Sequence, residues 1–148
     1  MSAALLNGKA VELPSVGDFE HNQAFTISCW VKPPKEDGNK HFSIASRMDE
    51  SNAHRGWDLW VDDRRVGMHL IHKWPEDALK VVAKKPLKPD VWTLVTLSYN
   101  GSGNVGGIKI YYDGVVQQNP QHAINKFKKN TTRTDTAPFV IGGRSKGS

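Results

Sequence analysis

Apolar residues in this chain recur at every second position in short runs, and each run is ended by Pro, Gly, Asn or Asp. No stretch carries the three-to-four spacing of an amphipathic helix. That pattern restricts the fold to short antiparallel strands packed as a sandwich or a barrel. The segment Phe25–Lys32 shows it well: Phe25, Ile27, Cys29 and Val31 share one face, and Thr26, Ser28 and Trp30 share the other. Pro33-Pro34 ends the run, because proline cannot donate to a strand ladder. Trp57–Asp62 and Val66–His72 read as a hairpin around Asp63-Arg64. In that register Val61 faces Val66, Leu59 faces Met68 and Trp57 faces Leu70, all six toward the core, while Asp58 lies opposite His69 on the outer face.

Further strands are expected at Ala3–Leu6 and Lys9–Leu13 around Asn7-Gly8, at His41–Ser46, and at Lys80–Ala83. Trp92–Tyr99 places Val95, Leu97 and Tyr99 on one face. Ile108–Tyr112 and Val115–Gln118 flank Asp113-Gly114, and Phe139–Gly142 is the last strand. Arg47–Gly56, Asn100–Gly107 and Gln121–Ala137 read as loops.

A chain of 148 residues fits one domain, here residues 1–148. Its 38% hydrophobic and 24% charged composition excludes a disordered or collagen-like chain. The net charge of +5 favours acidic partners such as anionic glycans, but the lysines are spread over several loops. Cys29 is the single cysteine, which excludes an internal disulfide and a cysteine zinc site and suits a small buried apolar residue. The first residues lack the basic segment and apolar length of a secretion signal, and no apolar run reaches the roughly 20 residues of a membrane span.

The chemistry-bearing residues point to binding. Glycoside hydrolysis needs two carboxylates on one face about 5–10 Å apart. Asp58, Asp62 and Asp63 lie on or beside one hairpin, but Asp62 and Asp63 read as turn residues. No G-x-S-x-G elbow is present, and the six histidines are scattered. Lys84–Lys88 and Lys126–Lys129 have only Phe127 among them, too little aromatic interleaving for nucleic acid. Calcium is the one cofactor the sequence leaves room for, with Asp18, Asp49 and Asn52 as loop oxygen donors.

Trp30, Trp60 and Tyr111 fall on the phases opposite the core. If their strands share a sheet, the rings line one outer face on which sugars can stack, with Asp58 and His69 to bond hydroxyls and Trp74 as a second platform at a loop tip. The alternative is that Trp30 and Tyr111 pack under other segments. Trp57 and Trp92 read as structural.

Taken in order, "LLNGKAVELPSVGDFEHNQAFTISCWVKP", "RGWDLWVDDRRVGMHLI", "WTLVTLSYNGSG" with "GIKIYYDG", and "PFVIGG" resemble successive strands of laminin-G-like jelly rolls. These belong to the concanavalin A-like lectin/glucanase superfamily. "RMDESNAHRGWDLW" and "HKWPEDALKVVAKKPLKP" are most similar to modules of large planctomycete multidomain proteins. The resemblance implies an all-β, two-sheet antiparallel jelly roll. After "IGG" the family continues with a strand like "fxGxIDdVrIY", which this chain lacks. The expectation is therefore either a fragment of a larger protein or a sandwich with an uncovered strand, whose open edge invites another protein, and a calcium site placed in doubt.

The reading that follows is a non-catalytic recognition module for a polysaccharide or glycoprotein glycan, within a larger secreted or periplasmic protein. No nucleic-acid partner and no membrane span are expected. The alternatives are a protein-interaction or spacer module and a divergent glycosidase. Fold alone does not choose among them.

Overall fold

A computed structural model describes residues 9–35 and 41–144, without the side chains of 119–122. The expected strand Ala3–Leu6 and its Asn7-Gly8 turn lie outside the described residues. Among the described residues there are eleven strands: β1 Val11–Leu13, β2 Phe25–Val31, β3 Phe42–Asp49, β4 Arg55–Asp62, β5 Arg65–Lys73, β6 Asp77–Val82, β7 Thr93–Tyr99, β8 Ile108–Tyr112, β9 Val115–Val116, β10 Asn119–Asn125 and β11 Phe139–Ile141. A short 3-10 turn, Val105–Gly107, precedes β8. The strands form two antiparallel sheets, a seven-stranded one ordered β1-β11-β3-β4-β5-β6-β10 and a four-stranded one ordered β2-β7-β8-β9.

The β4–β5 hairpin has the register that alternation dictates: Trp57 pairs with Leu70, Asp58 with His69, Leu59 with Met68 and Val61 with Val66. Its turn residues Asp63 and Arg64 both have positive φ, 48° and 58°, which matches the twist of a two-residue hairpin. All six inward residues are buried and join Phe25, Val95, Leu97, Tyr99, Ile108 and Ile110 in one core between the sheets. Each such buried side chain stabilises the fold by roughly 1.5–3 kcal/mol. Phe19 extends this core with an aromatic stack on Phe25 at 4.1 Å. Cys29 packs against the core, and burial pushes its thiol up to about 11.

Two segments read as loops are strand. β3 runs through Asp49 because Arg47 is buried: its guanidinium donates to the carbonyls of Val16 (2.7 Å), Pro14 (3.2 Å) and Thr134 (3.4 Å). Met48 buries its side chain on the outer face with Ile71 and Ala78. β10 runs from Asn119 into the stretch 121–137 that reads as a loop, pairing with β6, whose Asp77 carboxylate accepts from the Lys128 N–H and the Asn130 amide, both at 2.7 Å. Trp92 corrects a further expectation: it is 48% exposed and lies just before β7.

Candidate functional site

The outer face of the seven-stranded sheet is built in rows across β3, β4, β5 and β6. Successive rows are Met48, Gly56, Ile71 and Ala78; then Ser46, Asp58, His69 and Lys80; then Ser43, Trp60, Gly67 and Val82; then Asp62 with Arg65. Gly67 is required where it stands. A Cβ there would lie 2.2 Å from the Trp60 ring, so the indole occupies the space above a residue with no side chain.

Asp58 is the electrostatic centre of this face, with 0% exposure. Its Oδ2 accepts from Arg144 Nη2 at 2.6 Å, and its Oδ1 lies 2.7 Å from His69 Nδ1. Arg144 also reaches Glu50 through Nη1 at 3.4 Å. Burial pushes the Asp58 carboxyl up, but the His69 hydrogen bond and the charges of His69 and Arg144 outweigh it and hold the group below the usual carboxylate range. The Trp60 indole N–H also points at His69 Nδ1, at 2.9 Å. One ring nitrogen cannot both accept from the indole and donate to the carboxylate. The shorter, charge-assisted bond to a buried anion has the stronger claim, so we assign the proton to Nδ1. That leaves His69 Nε2, which has no partner among the described residues, as an acceptor when the ring is neutral.

Trp74 leans edge-on against His69 at 4.9 Å and 79°, and it packs over Met48, Ile71 and Ala78. Its backbone N–H donates to the Ala53 carbonyl at 2.9 Å, which ties the β5–β6 turn to the β3–β4 turn. Between them opens a cleft of about 210 Å³ lined by Met48, His54, His69, Ile71, Trp74 and Arg144. It offers a half-buried indole, a guanidinium edge and imidazole nitrogens over an apolar floor.

The structure brings together Asp58, His69, Trp60 and Trp74, but not in the roles the sequence suggested. Asp58 cannot touch a ligand; it holds the residues that can. Trp60 is only 4% exposed, beneath His41, His69 and Lys80, whose ammonium lies 5.5 Å from the ring centre. Trp30 and Tyr111 are on β2 and β8 of the other sheet, so they cannot share a platform with Trp60. Trp30 is 61% exposed there.

Among the described residues no three His, Cys, Asp or Glu side chains are placed to hold a metal ion. Asp18 instead accepts from the Thr134 N–H (2.8 Å) and Arg133 Nε (3.3 Å), with Arg47 at 3.7 Å, and Asp49 caps Ser51. Arg144 and His54 were missed. A buried acid needs a cation, but nothing in the sequence marks the outward-facing Asp58 as buried or points from it to Arg144.

A laminin-G-type family model described as "Concanavalin A-like lectin/glucanases superfamily" matches residues 6–148. The chain belongs to that superfamily. Among solved structures it is similar to the Ruminococcus gnavus IT-sialidase CBM40 bound to α2,3 sialyllactose. The two are 17% identical with a TM-score of 0.62, over 95% of this chain and 82% of that one. It is also similar to the receptor binding domain of botulinum neurotoxin D, 16% identical with a TM-score of 0.60, over 90% of this chain and 32% of that one. At the sequence level it is 26% identical over 96 residues to botulinum neurotoxin type X of Clostridium botulinum. That match covers 65% of this chain and only 7% of the toxin's length. The described residues contain no helix long and apolar enough to cross a membrane.

Proposed function

We propose that this superfamily member is a non-catalytic glycan-recognition module whose binding face is the outer surface of the seven-stranded sheet. The observation that carries the reading is the cleft where the Trp74 indole, His69 and Arg144 converge on an apolar floor. A sugar presents C–H faces to an indole and hydroxyls to nitrogen donors and acceptors, and this cleft offers both. Asp58, which holds Arg144 and His69 in place, is ionised and fully buried, so it positions these groups and serves as neither proton donor nor nucleophile. Sialylated glycans are the first ligands to test, because the CBM40 relative is bound to sialyllactose and a botulinum neurotoxin D ligand binding domain of the same fold is in complex with N-acetylneuraminic acid.

The test is a glycan array of sialylated and neutral oligosaccharides, run with Ca²⁺ and again with EDTA. Binding that falls at least tenfold on Trp74→Ala supports the proposal, and binding unchanged in EDTA removes calcium from it. Silence of the folded domain across the array contradicts it. A second reading, docking to another protein, is favoured by the four-stranded sheet, where Trp30, Val115 and Val116 are exposed and β2 pairs only with β7 among the described residues. Secretion as part of a larger protein fits either reading.

A further inference from the structure

A second cleft, of about 480 Å³, lies further along the same outer face, with Trp60, Asp62, Asp63, Arg65, Lys80 and Ile124 among its walls. The walls of the two clefts are in contact. His69 lines the first and Trp60 the second, and these side chains meet at 2.9 Å. Ile71 in the first cleft and Arg65 in the second are six residues apart on β5, or roughly 20 Å at the rise of a strand. A single sugar ring does not fill that length, whereas a short oligosaccharide does.

Among the described residues the charges of the second cleft form no ion pair with one another or with their neighbours. Asp62 and Arg65 are cross-strand partners, yet among the described residues neither they, Asp63 nor Lys80 makes an ion pair within 4 Å. Arg65 Nε is buried with no acceptor. Two carboxylates and two cations cancel in formal charge, so the cleft has no net attraction for a phosphate or sulfate, and Asp62 and Asp63 would oppose one. A hydroxyl both donates and accepts, so a ligand rich in hydroxyls satisfies both kinds of group. Ile124 supplies accessible apolar wall for its C–H faces, and the buried Trp60 and Val82 show only their edges.

We infer that the recognition face is a two-subsite groove, in which the Asp62/Arg65/Lys80 cleft binds uncharged sugar rings of the oligosaccharide whose end occupies the Trp74 cleft. This rests on the proposed glycan function and specifies its substrate class as a chain rather than a single sugar.

Calorimetric titration tests it with N-acetylneuraminic acid, α2,3-sialyllactose and a sialylated pentasaccharide, alongside a matching neutral series of increasing length. The expected result is affinity rising at least tenfold from the shortest to the longest binder. Arg65→Ala should remove that gain and leave the shortest ligand unchanged, and Asp62→Asn, at an exposed position, should do the same without risk to folding. Trp74→Ala should weaken every length. Affinity independent of length, or a length gain untouched by both substitutions, overturns the inference and leaves the glycan function standing. No binding at any length overturns both.

Discussion

Removal of the Arg144 guanidinium should destabilise the fold well beyond what loss of an exposed ion pair normally does. Asp58 is fully buried, and Arg144 supplies the 2.6 Å donor to one of its two oxygens. Breaking a buried ion pair costs about 3–5 kcal/mol when the remaining charge is stranded. Here His69 still serves Oδ1 at 2.7 Å, and the Arg144 side chain is 28% exposed, so water can partly replace it. The loss is then closer to one charged hydrogen bond, about 1.5–3 kcal/mol. For a domain of this size that lowers Tm by roughly 4–10 °C. Urea denaturation of Arg144→Ala at pH 7 measures it. The double variant Arg144→Ala/Asp58→Asn separates the pair from simple loss of contact, because with the charge gone the arginine should matter far less. A cost below about 0.5 kcal/mol, typical of exposed ion pairs, would refute the reasoning.

Other consequences follow from the same geometry. The Asp58 pKa is depressed on folding, so its contribution is fully present above the unfolded value of about 4 and is lost as pH falls through the lower folded value. Urea midpoints between pH 6 and pH 3 should therefore fall more steeply for the wild type than for Asp58→Asn; parallel profiles would count against it. Gly67→Ala should cost about 1–3 kcal/mol by forcing the Trp60 ring off the sheet, visible as a lower Tm and altered tryptophan fluorescence, and an unchanged protein would show that the ring is free to move. Trp30→Ala should change stability by under about 0.5 kcal/mol and leave glycan binding intact, since Trp30 is exposed on the opposite sheet; lost binding would relocate the site.

Much of the fold was legible because strand alternation is a direct image of burial. The β4–β5 hairpin is the clearest case: its six apolar residues fix one register, and a slip by one would turn all of them outward. Alternation is silent where burial does not drive strand formation. β10 pairs with β6 while carrying Asn, Gln and His, and the end of β3 is held by the hydrogen bonds of a buried arginine.

The site was half legible for a related reason. Phase separates inner from outer positions but does not say which sheet a strand joins, so Trp30 and Tyr111 looked like companions of Trp60. Nor does phase say that an outer ring is covered, as Trp60 is by His69 and Lys80. Arg144 reaches Asp58 across 86 residues of chain, a contact that no local pattern records.

The measurement that tests the account most directly follows the indole N–H signals of the five tryptophans by two-dimensional ¹⁵N–¹H NMR during titration with the tightest glycan from the array. The account predicts that Trp74 shifts most and Trp60 follows, while Trp30 and Trp92 stay in place. Shifts centred on Trp30, with Trp74 unmoved, would contradict it and put recognition on the four-stranded sheet.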